Sequence, residues 1–387
     1  MRDVAVIGAG MIEFGELYEQ STDDMAEAAF LNALDDVDYG ISPDEIDAGW
    51  LGTSNIAGDA NSGLGLAHPT GQFEIPIMRV ENACATGSSA FRAAVEAVRA
   101  GSADVALVLG VEKMHDSAEG LIANAALDQV WRGRGVTMPA FFGMRATRHM
   151  HEFGTTREQI AEVSVKNHEN GSKYPYAHYQ FTCDVEDVVQ SPQVTYPLQL
   201  YDCCPVTDGA AATIIASEDV ADNYTDDPIW AAGSGLSTDS LLRGNDSALV
   251  GFEATTQAAN QAYDQANIGP EDIDVAEVHD CFTITELITY EDLGFCEKGE
   301  GGQFVEEGTV HLDGEKPVNP SGGLLAKGHP IGATGVAQIN EIYEQLRGEA
   351  GAVQVGNDPQ YGLQHNIGIG RNATGSVSCV NVLSRER

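Results

Sequence analysis

An α/β architecture made of two similar halves is what this chain predicts, and three observations predict it. Short apolar runs alternate with longer stretches of helical periodicity along the 387 residues, the order of elements that builds sheets flanked by helices. A seven-residue phrase recurs, since Ile41-Ser42-Pro43-Asp44-Glu45-Ile46-Asp47 is echoed by Ile268-Gly269-Pro270-Glu271-Asp272-Ile273-Asp274. Each copy follows an Ala-rich helical pattern (26–34 and 258–266) and precedes an apolar stretch, so helix, proline-led turn and strand repeat in one order. Residues 115–205 hold few strand-like runs and most of the Tyr, His and Arg of the middle chain. That segment reads as a functional insertion over the end of the first half.

The expected organisation is a first half over 1–114, an inserted loop domain over 115–205, a return to the first half over 206–222, and a second half over 223–387. Residues 4–7 read as a strand. Gly8-Ala9-Gly10 then looks like the start of a dinucleotide fingerprint, but Glu13 stands where the third glycine belongs. A carboxylate repels pyrophosphate, so the segment reads instead as a strand-end turn. Ser21 and Thr22 cap a helix through residue 34, with Met25, Ala28, Ala29, Leu31 and Ala33 apolar. A second helix is expected over 90–100, stopped by Gly101, followed by a strand over 104–109 covered on both faces. The second half offers a strand over 275–278, a helix containing Ile284, Leu287 and Ile288, and a final strand over 377–383.

Composition narrows the function. The 59 acidic residues against 20 Lys and Arg leave a formal charge of −39, which repels nucleic acid and anionic membranes. The acids are scattered rather than gathered in a tail, and self-repulsion of that size is screened when the Debye length falls to about 3 Å near 1 M salt. A cytosolic protein of an extreme halophile is the expectation. The start, MRDVAVIGAG, reads as a first strand and not a signal peptide, and no apolar run reaches the roughly 18 residues of a membrane helix. Seven cysteines is an odd count without a zinc spacing, so free thiols in a reducing cytoplasm and no metal site are expected.

Three segments carry chemistry. Cys84, in Glu81-Asn82-Ala83-Cys84-Ala85-Thr86-Gly87-Ser88-Ser89-Ala90, stands at a strand-to-helix turn. There, helix N–H groups and the dipole are expected to lower its pKa and favour the thiolate; a buried structural cysteine is the alternative. His329 lies in a Gly- and Pro-rich run, Asn319 to Gly335, that holds it between Gly328 and Pro330. This suits a preorganised base or oxyanion donor, against a histidine ordered only by packing. Val278-His279-Asp280-Cys281-Phe282 follows the second half's strand and supplies a donor and a second thiol, or else a capping residue and a core cysteine. Arg132, Arg134, Arg145 and Arg148 form the densest basic cluster, with Met138 and Met144 between them. Guanidinium groups pair well with phosphate, although pairing with the chain's own acids is an equal alternative.

NACATGSSA around Cys84, HDCF at 279–282 and NPSGG…GHPIGATG around His329 together resemble the thiolase superfamily, and CPVTDGAAA at 204–212 is similar to that family's return from its loop domain. The resemblance covers almost the whole chain. It implies two α/β halves in a five-layered αβαβα core with an inserted CoA-binding loop domain. It also implies an acyl-CoA C-acyltransferase in which Cys84 is acylated, His329 draws off its proton, and a second thiol removes the α-proton of another acetyl-CoA. The commonest biosynthetic thiolases carry NEAF where this chain has HDCF, and a C-terminal CxG where it has Gln364-His365-Asn366-Ile367-Gly368. The pattern here is similar to sterol-carrier-protein-x-type and archaeal thiolases, which implies Cys281 as the α-proton base. His279 with His329 would form one oxyanion hole, and the N–H groups of Cys84 and Gly368 the other, while Cys379 belongs to the core.

The resemblance further implies acetyl-CoA or another acyl-CoA as substrate with no resident cofactor, and CoA contacts from Arg132, Arg134, Arg145, Arg148 and Met144. It implies a homodimer or homotetramer and a small zinc-ribbon OB-fold partner protein. Condensation of two acetyl-CoA, feeding isoprenoid or polyester synthesis, is the leading expectation. Degradative 3-ketoacyl-CoA thiolysis uses the same residues. A non-catalytic acyl-CoA-binding subunit is the reading from another class, and a decarboxylating ketoacyl synthase would leave Cys281 without a task.

Overall fold

The structure, a computed structural model, describes residues 2–55, 57–116, 135–240, 249–356, 358–370 and 375–387. The first half contributes β1 (Val4–Met11), β2 (Ala48–Gly52), β3 (Ile77–Val80), β4 (Val105–Glu112) and, after the insertion, β7 (Gly209–Ser217), in the order β3-β2-β4-β7-β1. The second half contributes β8 (Ile229–Asp239), β9 (Val275–Glu277), β10 (Tyr361–Ile369) and β11 (Ser376–Ser384), in the order β8-β11-β10-β9. A short antiparallel contact, Ala5 with Trp230 and Val6 with Ile229, joins the two sheets edge to edge through β1 and β8.

The repeated phrase folds the same way twice. β1 leads through α1 (Thr22–Asp35) and a single 3₁₀ turn at Pro43–Glu45 into β2; β8 leads through α7 (Glu253–Ala266) and a 3₁₀ turn at Pro270–Asp272 into β9. Proline at the first position of each turn supplies the backbone angle the turn needs. Ser21 caps α1 as its sequence predicts, its side chain accepting from Asp24 N–H while Asp24 accepts from Ser21 N–H.

Period-two alternation on the strands sorts side chains into separate cores. Ala5 and Ile7 of β1 and Leu107 and Leu109 of β4 face outward to α1. Val4 and Val6 of β1 and Ala106 and Val108 of β4 face inward, to α3 (Thr86–Arg99) and α11 (Ile331–Arg347). On the far side of the second sheet, Val380 and Val382 meet Ala258 of α7 and Ile284 of α8 (Thr283–Asp292). Helices and sheets therefore alternate in five layers, with α3 and α11 in the middle. At the crossing of those two helices a Cβ on Gly87 would lie 2.7 Å from the Gly332 carbonyl; only glycine lets the backbones meet so closely.

Three expectations change. The helix expected over 90–100 begins earlier, at Thr86, because Ser and Gly in its first turn pack against α11. Gly8 and Gly10 are not a turn but lie inside β1, where a Cβ on Gly10 would stand 2.2 Å from Ala33 N of α1. The insertion rests on both halves, its Tyr176 carbonyl accepting from Phe14 N–H of the first at 3.0 Å while its helices pack on the second. Its described elements are α4 (Met138–Phe153), α5 (Arg157–Gly171), α6 (Val185–Gln190), β5 (Gln193–Thr195) and β6 (Leu198–Gln199), besides α2 (Leu64–Thr70) earlier in the chain. Phe141, Phe142, Ile160 and Val163 of α4 and α5 share a core with Ile284 and Leu287 of α8. Buried Asp208 ties the two ends of the excursion, accepting from Met114 N–H at 2.6 Å and Lys113 Nζ at 2.7 Å.

Candidate active site

Cys84 and His329 each stand two residues ahead of the first residue of a central helix. Between β3 and α3 the chain turns sharply at Ala83, whose φ is 50°, and Thr86 braces the turn by accepting from Asn82 N–H at 2.9 Å. A non-glycine residue held at positive φ is strained, and such strain concentrates at functional turns. Before α11, His329 Nδ1 meets Thr334 Oγ1 at 2.8 Å, and Nε2 is buried without a protein partner. His279 follows β9 with Asn366 Nδ2 lying 3.4 Å from its Nδ1. An amide NH2 only donates, so the ring proton of His279 belongs on Nε2.

The thiol of Cys84 and one ring nitrogen from each of His279 and His329 all lie within 4.8 Å of one another. They are the one such group at metal-ligand spacing among the described residues. All three line a cavity of about 500 Å³ whose wall also carries Cys281. Cys281 Sγ has Thr285 Oγ1 as its neighbour at 3.8 Å. Gly368 of β10 abuts the Asn82 carbonyl beside the Cys84 turn, and its neighbours Ile367 and Ile369 reach the cavity wall. Cys379 lies fully buried in β11, outside that wall.

Electrostatics overturns one expectation. The Cys84 thiol is not acidified by its helix but pushed up to about 12, by burial first and then by Glu112 and Glu81. Desolvation penalises the thiolate more than the first turn of α3 stabilises it. Burial likewise lowers His329 to about 3, and lowers His279 well below its ordinary value with help from His329 and His365. The resting site is therefore a neutral thiol beside two neutral imidazoles. Burial also raises Cys281, with Cys204 and Cys84 as its next largest influences.

A buried polar framework holds the segments in place. Asn366 accepts from Ser88 Oγ of α3 at 2.7 Å and donates to Gln338 of α11 at 2.7 Å, linking both central helices to His279. Asp280 accepts from Leu324 N–H at 2.6 Å and Asn167 Nδ2 at 2.7 Å, fixing the turn that presents Cys281. Asn319 accepts from Val278 N–H at 2.8 Å, so the NPSGG run acts beneath β9 rather than in the cavity. Satisfied networks of this kind hold catalytic groups rigid.

Burial takes Arg145 out of the expected set of CoA contacts. Arg145 is fully buried, its guanidinium carbon 4.1 Å from the Phe252 ring and 4.8 Å from the Phe141 ring, so phosphate cannot reach it. Arg148 pairs with Glu152 at 2.6 Å. Met144 is 44% exposed and absent from the cavity wall, because it lies about 200° around α4 from Phe142. Met138 and Phe142, four residues apart on one helix face, line the cavity instead. Arg132 and Arg134 lie outside the described residues.

Sequence reasoning missed much of an aromatic wall and two further thiols, Cys203 and Cys204. Phe142 stacks on Phe282 at 4.5 Å, while Phe181 lies 4.8 Å from His168 and 5.6 Å from Tyr201. Cys204 also reaches the cavity, its N–H donating to the Cys281 carbonyl at 3.1 Å. The available signal was Cys204 next to Pro205 in the return segment; its partner, 77 positions away in the chain, is set by tertiary pairing.

The family model described as "Thiolase, N-terminal domain" matches residues 4–219, and "Thiolase C-terminal domain-like" matches 233–385. The chain belongs to the thiolase family. It is 45% identical over 391 residues to "Acetyl-CoA acetyltransferase" of Methanothermobacter thermautotrophicus, covering 100% of both chains. It is 37% identical to human "Sterol carrier protein 2", over 96% of this chain and 70% of that one. Among solved structures, "Ltp2-ChsH2(DUF35) aldolase" superposes with a TM-score of 0.84 at 26% identity, over 100% of this chain and 98% of the other. No helix among the described residues is long and apolar enough to cross a membrane.

Proposed function

We propose that this thiolase is an acyl-CoA C-acyltransferase that condenses two acetyl-CoA into acetoacetyl-CoA and CoA. The observation that carries the reading is the convergence of Cys84, His279 and His329 within 4.8 Å on a cavity that also holds Cys281. His329 Nε2 takes the Cys84 proton as sulfur attacks the first thioester carbonyl, and returns it to the departing CoA thiolate. Cys281, as its thiolate, takes an α-proton from the second acetyl-CoA; the carbanion attacks the Cys84 thioester carbonyl, the carbon–sulfur bond breaks, and the departing Cys84 thiolate takes the proton back from Cys281. His279 Nε2–H stabilises the enolate oxygen, with His329 contributing in the tautomer that carries its proton on Nε2. The N–H groups of Cys84 and Gly368 stabilise the tetrahedral oxyanion. No resident cofactor or metal enters these steps.

Thiolysis of longer 3-ketoacyl-CoA is a second reading, favoured by the aromatic breadth of the cavity around Phe142, Phe282 and Phe181. The solved relative named with ChsH2(DUF35) supports a partner protein for this chain. We propose a small zinc-ribbon OB-fold protein in that place, contributing to CoA phosphate binding, with a homodimer or homotetramer as the enzyme's own assembly. A halophile's cytoplasm, and supply of isoprenoid or polyester precursors, complete the proposal.

Incubation with acetyl-CoA in molar KCl followed by peptide mass analysis tests the reading. An acetyl group on the Cys84 peptide is the expected result; acetyl groups elsewhere, with Cys84 free, would overturn it.

A further inference from the structure

Four thiols, those of Cys84, Cys203, Cys204 and Cys281, line the one cavity, and all are free. Two of them face each other across a backbone pairing. Cys203 bridges Phe282 in antiparallel register, and the Cys204 N–H donates to the Cys281 carbonyl at 3.1 Å. That register sets Cys204 directly opposite Cys281. Opposed residues of an antiparallel pair stand about 4.5–5.5 Å apart at Cα, inside the roughly 4.4–6.8 Å that a disulfide spans. Both side chains reach the same cavity. The other two thiols are placed differently: Cys203 Sγ lies 3.3 Å from the Gln199 carbonyl, and the bridge partner of Cys84 is Asn82.

We propose that Cys204 and Cys281 form a redox-active pair that closes to a disulfide under hydrogen peroxide and reopens under thiols, switching the condensation step off and on. The switching rests on Cys281 being the α-proton base; formation of the bond does not. In the first step one sulfur attacks the peroxide and breaks the O–O bond, giving a sulfenic acid, and the released hydroxide takes the thiol proton to become water. In the second, the opposite thiol attacks the sulfenic sulfur; the S–S bond forms, the S–O bond breaks, and hydroxide leaves with that thiol's proton as a second water. Two thiols and one peroxide thus give one disulfide and two waters. Burial, which raises both thiols, slows the first step, so the pair stays reduced until peroxide enters the cavity. Reduction proceeds by thiol exchange through a mixed disulfide.

The test treats the full-length protein with peroxide, alkylates it and maps its peptides without reduction, alongside condensation and Cys84 acetylation assays. A peptide linking the 203–204 segment to the Cys281 segment is expected. Condensation should fall roughly tenfold or more and recover with dithiothreitol, while Cys84 acetylation continues. Cys203→Ser should still form the link and Cys204→Ser should not, each scored against its own untreated rate. Absence of the link, a link through Cys84, or a Cys204→Ser protein that is reversibly inactivated like the parent would overturn the proposal. A linked protein that condenses at full rate would overturn the base role of Cys281, and the switch with it.

Discussion

A thiol pushed up to about 12 by burial attacks a thioester only if a base takes its proton as the carbon–sulfur bond forms. His329 is the base proposed for that step. Its Nδ1 is engaged by Thr334, its Nε2 is unclaimed, and burial lowers it to about 3, so it stays unprotonated and basic as the solution acidifies. The sign is definite: a depressed imidazole loses base function only when the pH falls to its lowered value, not near the ordinary 6.5. Cys84 acetylation should therefore be nearly constant from pH 8 to about 5, checked by quenched-flow peptide mass analysis. A decline with its midpoint near 6.5 would contradict the assignment. His329→Ala should slow acetylation by about 10²–10⁴-fold, while removal of the Cys84 thiol should abolish acetylation.

Among the elements, α3 and α11 bring the two reactive turns together because their first turns are nearly without side chains. Gly87→Ala forces a Cβ against the Gly332 carbonyl, and overpacking of this kind costs about 1–3 kcal/mol. A lowered denaturant midpoint, together with weakened acetylation, is the expected outcome. Along α4, Arg145 is a packing cation between Phe141 and Phe252. Arg145→Met should keep KM for acetyl-CoA within about twofold, since a buried ion can often be replaced by an apolar residue of like volume. These two helices show what a sequence reveals. The echo of Pro43 and Pro270 was legible because local turn chemistry repeats, and the Cys84 and His329 turns because glycine, proline and reactive groups coincide. Arg145 misled because composition does not say which face of a helix is buried. Cys204 escaped because its contact with Cys281 is set by pairing between distant segments.

At the scale of the whole molecule the charge of −39 acts on every element at once. Few ion pairs can offset it, and several that form are internal, such as Lys327 with Glu277 at 3.1 Å and Lys166 with Glu286 at 2.9 Å. Repulsion among the remaining acids weakens as salt shortens the Debye length from about 10 Å at 0.1 M to about 3 Å at 1 M. Melting temperature should therefore rise between 0.1 M and molar KCl, followed by circular dichroism; equal stability in both would argue against a halophilic origin. The five layers also make the active site an interface between halves, Cys84 from one and His279, Cys281 and His329 from the other. The proposed division of labour between the two sulfurs rests on that arrangement. It is tested most directly by mixing Cys281→Ala protein with acetyl-CoA and following Cys84 acetylation and acetoacetyl-CoA formation in the same samples. Acetylation at the parent rate with condensation abolished is the predicted result; condensation that persists in this variant would contradict it.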